Sequence, residues 1–118
     1  MNFKDLNVKV IYLSGPITSR QNGFRDAFKQ YETALREQGY YVLNPAEQNT
    51  PYYLKGAESE EIWKYFMRES LKMMLDADCI LMLPGWEDSK GAQMEYNLAQ
   101  SLELPVYHSL ETMGVWDY

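Results

Sequence analysis

The sequence predicts a three-layer α/β/α sandwich built on a parallel sheet of four to five strands. Three observations predict it. Apolar runs of strand length alternate with stretches of helical periodicity along the chain, giving the order βαβαβαβ. The run Cys79 to Leu83 is apolar at every position, as a central strand covered on both faces must be. The first three strand-like runs stop at Gly15-Pro16, Asn44-Pro45 and Pro84-Gly85. Parallel strands joined through helices require right-handed crossovers, so each helix packs back onto the sheet.

Val8 to Ser14 is rich in β-branched and aromatic residues and forms the first strand. After the polar loop Gly15 to Gly23, Phe24, Phe28, Tyr31 and Leu35 recur at helical spacing, and Gly39 supplies the stop. Arg25, Lys29, Glu32 and Arg36 are assigned to the outward side of this helix. Tyr40 to Leu43 is a second short strand. Ala46 to Glu58 is a long loop with little periodicity, a length usually kept for function. Ser59 opens the next helix, with Glu60 and Glu61 facing its positive end. Ile62, Phe66, Met73 and Met74 mark its inner face, and it runs to about Asp76. The strand Cys79 to Leu83 follows, then a helix from Gly91 to about Glu103 with Ala92, Tyr96, Ala99 and Leu102 inward. Pro105 to His108 is the fourth strand, and Val115 with Trp116 could add a short edge strand.

A chain of 118 residues, 46% hydrophobic and without a second compositional segment, reads as one domain over 1–118. No apolar run reaches the roughly 20 residues of a membrane span, and the N-terminus carries no signal-peptide pattern. The single cysteine lies inside a strand, which suits a buried thiol in a reducing, cytoplasmic setting. With 17 acidic and 11 basic side chains the net charge is −6, against the clustered Lys and Arg that a nucleic-acid polymer needs. A small nucleotide remains possible, because backbone amides and one or two arginines can hold it. Ten tyrosines and three tryptophans could fill the core, line a pocket or cover a subunit interface.

In a parallel sheet the loops after the strands converge at one edge, where ligands bind. Those loops are Gly15 to Asn22, Asn44 to Glu58 and Pro84 to Lys90. The unpaired N–H groups at Gly91 and Ala92, at a helix start, favour an anion. Glu95, one turn further on, is the candidate nucleophile or base; the alternative is an ordinary solvated helix glutamate. Ser89 can cap the helix and donate to a phosphate oxygen. Arg20 and Arg68 are candidate phosphate partners, or else surface charges. Trp86 is a candidate lid or stacking platform for a base, or a packing residue. The lone His108 has no companion at ligand spacing, so no metal site is expected, and no cofactor fingerprint is present.

The segments IYLSGPIT (Ile11 to Thr18), Asn44-Pro45-Ala46-Glu47, Ala77-Asp78 and LPGWEDSKGAQMEYNLA resemble a small uncharacterised family, DUF4406-like. That family is related to nucleoside 2-deoxyribosyltransferases and to 2′-deoxynucleoside 5′-monophosphate N-glycosidases. The resemblance covers about Val8 to Tyr107. It implies a flavodoxin-like (Rossmann-like) fold and chemistry at a glycosidic bond, with Glu95 attacking the anomeric carbon. It implies a substrate seat from Ser14, Gly15, Pro16, Ile17, Thr18, Arg20, Asn44, Arg68, Trp86, Ser89, Gly91 and Ala92. Serine at position 89, six residues before the glutamate, suits a 5′-phosphate, where the transferases carry an aspartate for the 5′-hydroxyl. The resemblance also implies a homo-oligomer whose neighbouring subunit completes the pocket. Two departures stand out. Ser70 occupies the position of the aspartate that manages the proton of the leaving base, and no C-terminal residue aligns with the neighbour's contribution. A nucleoside 5′-monophosphate N-glycosidase is therefore the first expectation. A non-catalytic binding module for a nucleotide or ADP-ribose-like ligand is the second, and a 2-deoxyribosyltransferase the third.

Overall fold

The computed structural model of the protein describes residues 10–17 and 23–112. The alternation read from the sequence is present in it: β1 (Val10–Ser14), α1 (Phe24–Glu37), β2 (Tyr41–Leu43), α2 (Ser59–Leu75), β3 (Cys79–Met82), α3 (Lys90–Ser101) and β4 (Val106–Tyr107). The four strands pair in parallel in the order β2-β1-β3-β4. This is the flavodoxin-like order, and its topological switch point lies between β1 and β3. Val115 and Trp116 lie outside the described residues, as do Thr18 and Arg20.

The alternation of side chains along β1 sorts the core into two layers. Ile11 and Leu13 pack with Phe28 and Leu35 of α1, together with Cys79, Leu81 and Leu83. Tyr12 faces the other way, into a cluster with Met74 of α2, Ile80, Met82, and Ala92 and Ala99 of α3. Helix α1 thus covers one face and α2 with α3 the other. Burial in β3 pushes the Cys79 thiol well above its ordinary range, so it stays protonated and unreactive.

Gly15, directly after β1, is fixed by proximity: a Cβ there would stand 2.9 Å from Leu83 Cβ and 3.3 Å from the Phe28 ring. The chain can leave β1 along this path only without a side chain. Asn44 closes β2 by accepting from the Ala46 N–H at 2.9 Å, which starts the 3₁₀ turn Pro45–Glu47. A second 3₁₀ turn, Tyr52–Leu54, lies within what the sequence presents as featureless loop.

Two expectations about helix faces fail. Glu32 is buried, not outward, because it lies four residues after Phe28 and three before Leu35, on their face of α1. Leu102 is exposed, not inward, because α3 ends at Ser101 and the chain turns through Glu103 at a φ of 57°.

Candidate active site

The period of two that sends Tyr12 towards α3 sends Ser14 there as well. Helix α3 buries Ala92, Glu95 and Ala99, a stripe at helical spacing that faces β1. Glu95 therefore arrives over two hydroxyls. The Tyr12 hydroxyl donates to Glu95 Oε2 at 2.5 Å, and Ser14 Oγ donates to Oε1 at 2.6 Å. Only 4% of Glu95 is exposed, which removes the reading of a solvated helix glutamate.

Burial drives the Glu95 carboxyl up to about 6, with the hydrogen bonds from Ser14 and Tyr12 pulling the other way. Burial, reinforced by the neighbouring carboxylate, holds the Tyr12 phenol well above its usual value. It remains a proton donor to Glu95 throughout the neutral range. A carboxylate poised near neutrality, with both oxygens oriented by hydroxyl donors, is suited to nucleophilic or general-base work.

Above Glu95 opens a cleft of about 600 Å³, within the range of small-molecule pockets. Ile62, Trp63, Phe66 and Met67 of α2 form an apolar wall, and Phe24 and Arg25 stand at the start of α1. Gln48 and Ser70 belong to the same lining and are joined by a hydrogen bond from Gln48 Nε2 to Ser70 Oγ at 3.0 Å. Ser70 also touches the Tyr12 hydroxyl, so a polar chain runs from Gln48 through Ser70 and Tyr12 to Glu95. At the start of α3, Ser89 Oγ accepts from the Ala92 N–H at 3.2 Å and leaves the Gly91 N–H without a partner among the described residues. Gly91 is also where α3 approaches α2 most closely, since a Cβ there would meet Met67 Sδ at 2.8 Å.

Of the residues read from the sequence, Gly15, Ile17, Ser89, Gly91, Ala92 and Glu95 all line this cleft. Ser14 sits beneath it, on Glu95. Pro16 packs beside Gly85. Three candidates fall elsewhere. Asn44 is buried between Ala46 and Glu32, donating to Glu32 Oε1 at 3.0 Å, so its side chain serves the backbone turn. Arg68 lies on a separate groove with Tyr53, Glu61, Lys64 and Glu69, because it points off the outer side of α2. Trp86 stacks on Tyr96 at 4.7 Å and near His108 at 5.8 Å, a packing role away from the cleft.

Sequence reasoning passed over Tyr12, Gln48 and Arg25. Tyr12 was signalled by its two-residue offset from Ser14 in a strand. Arg25 was assigned to the outward face of α1, but a residue in the first turn of that helix borders the sheet's carboxyl edge whichever side it occupies. Its guanidinium donates to the Gln48 carbonyl at 3.3 Å.

The fold is shared with a solved 2-deoxyribosyltransferase from the psychrotolerant bacterium Bacillus psychrosaccharolyticus. The TM-score is 0.63 at 22% identity, over 82% of this chain and 69% of that one. No curated protein matches the chain in sequence. The family described as a domain of unknown function, DUF4406, matches residues 9–108, and the chain belongs to it.

Proposed function

We propose that the protein cleaves the N-glycosidic bond of a nucleoside 5′-monophosphate, with Glu95 as nucleophile. One observation carries this reading: a buried carboxyl raised to about 6, its oxygens oriented by Tyr12 and Ser14, opens into a nucleotide-sized cleft at the β1/β3 switch point. The likeness to a 2-deoxyribosyltransferase and the family relationship are consistent with nucleoside chemistry.

In the first step a Glu95 oxygen bonds to the anomeric carbon as the base leaves with the electron pair of the broken C–N bond. The developing oxocarbenium charge is stabilised by the adjacent carboxylate before the ester forms. Water then attacks the same carbon and displaces the Glu95 oxygen as its carboxylate. The proton the water loses passes through solvent to the departed base where that base left as an anion, and the sugar phosphate is released. Ser89, the Gly91 N–H and Arg25 hold the phosphate, while the rings of Trp63, Phe66 and Phe24 receive the base.

Serine in the seat beside the phosphate favours hydrolysis of a monophosphate over transfer between free nucleosides. Deoxyribose transfer to an added second base would support the transferase reading instead. A binding module without turnover is favoured by a different observation, the neutral Gln48–Ser70 pair. The test is a mass-spectrometric screen of ribo- and deoxynucleoside 5′-monophosphates, with both neutral and cationic bases, for release of free base. The proposal expects release from at least one, abolished by Glu95→Gln. Saturable binding with every ligand left intact would overturn it in favour of the binding module.

A further inference from the structure

Glu95 is the one acidic side chain lining the cleft among the described residues, and Arg25 the one basic side chain. The segment 18–22, Thr-Ser-Arg-Gln-Asn, contains no acidic residue in the sequence. Glu69, next to Ser70, is turned to the second groove and paired with Lys72 at 2.8 Å. What stands on the cleft wall, one hydroxyl away from the Glu95 contact, is an amide hydrogen-bonded to a serine.

This matters for the leaving group. A neutral base that departs with the bonding electrons becomes an anion unless an acid protonates it. Serine and glutamine cannot supply that proton at neutral pH. The Tyr12 phenol is committed to Glu95 and made a weaker acid by it. Glu95 cannot serve, because the carboxyl that holds a proton is not the carboxylate that attacks.

We infer that the cleft selects nucleotides whose base already carries a positive charge, such as a ribosyl pyridinium or an N7-alkylated purine 5′-phosphate, which leave without a proton. The inference rests on the glycosidase reading. In the first step the Glu95 oxygen bonds to the anomeric carbon, the C–N bond breaks, and its electron pair neutralises the ring nitrogen. The base departs uncharged. Water then takes the place of the ester oxygen and gives one proton to solvent. The same surroundings favour such a substrate before reaction. The buried Glu95 carboxylate attracts a cation, and the Phe66 ring lines the cleft beside it. The Trp63 and Phe24 rings, by contrast, already carry the Lys90 ammonium at 4.4 Å and the Arg25 guanidinium at 5.7 Å.

The experiment compares base release from nicotinamide mononucleotide, as a cationic probe, with release from the neutral nucleoside 5′-monophosphates, each above its rate in buffer. The expected turnover ratio is at least 100-fold in favour of the cation. Gln48→Glu, close in shape to the native side chain, places an acid beside Ser70, and Ser70→Asp places one at the serine itself. Each should shrink that ratio at least tenfold by speeding the neutral substrates. Comparable turnover of neutral and cationic nucleotides by the native protein, or a ratio unmoved in both variants, would overturn this inference and leave the glycosidase reading in place. Absence of release from every nucleotide would overturn both.

Discussion

Two glutamates are buried in this small protein, and they have opposite fates. Glu32 is 6% exposed and Glu95 is 4% exposed, but Glu32 lies shallow, covered by the half-exposed Lys29 and Arg36 side chains, while Glu95 is deeply enclosed. Their partners differ too. Burial pushes the Glu32 carboxyl up, but Asn44 and Arg36 donate to it, and the Lys29 and Arg36 charges stand beside it. The net result is a carboxyl below its ordinary value. Glu95 is met only by two hydroxyls, which cannot offset the loss of water, and it ends near 6. The first joins α1 to the turn after β2. The second faces an open cleft, with a proton it can lose in the neutral range. A buried carboxylate with compensating charge is structural; one without it, beside a cavity, is available for chemistry.

The widest separation between the two is expected in activity. Glu95→Gln should lower base release by on the order of a thousandfold or more, as loss of a nucleophile does. On the proposed mechanism, in which only the ionised Glu95 attacks, base release should also rise with pH through about 6 and then level. Stability should move the other way. The folded state holds the Glu95 proton more tightly than the unfolded chain, whose ordinary value is 4.5. Stability is therefore lost as pH rises from 4.5 through about 6, by on the order of 2 kcal/mol. Denaturant titrations should show the Gln variant without that decline.

Glu32→Ala should behave in the opposite sense. It leaves the buried Asn44 amide without its acceptor and should cost about 1–3 kcal/mol, read as a lower denaturation midpoint. Base release per folded molecule should be unchanged. Glu32 contributes stability that is fully present above 4.5 and is lost as pH falls through its lowered folded value.

A finer probe is Tyr12→Phe. Its hydroxyl lowers the Glu95 carboxyl, so its removal should shift the acid limb of the pH–rate profile upward. An unmoved limb would mean that the hydrogen bond has no part in tuning the carboxyl. The smallest effect belongs to Arg68→Ala. With its side chain on the separate groove, stability should change by less than about 0.5 kcal/mol and nucleotide affinity should not change.

The architecture was legible because the two signals that encode it are local. Strand-length apolar runs and helical periodicity each depend on neighbours within a few positions, and the all-apolar β3 could only be central. The places of Glu95 and Ser89 beside the cleft were legible for the same reason, since a helix start and a carboxylate one turn on need no tertiary information. The arginines were not. Arg25 and Arg68 both sit on helix sides facing away from the core, and only the placement of each turn against the sheet edge decides which borders the cleft. Glu32 was misplaced because its charge was given more weight than its spacing from Phe28 and Leu35. Packing overrode that inference, and Arg36 and Asn44 make the burial tolerable. The end of α3 depended on Glu103 adopting a left-handed turn, a conformation its residue type does not announce.

Carbon-detected NMR titration of the glutamate carboxyls, with and without a nucleoside 5′-monophosphate, measures the difference between these two buried groups directly. The expected result is Glu95 titrating near 6 and responding to the nucleotide, with Glu32 titrating below 4.5 and indifferent to it. Glu95 titrating like an exposed glutamate and unmoved by saturating ligand would contradict the assignment of this carboxylate to a nucleotide site.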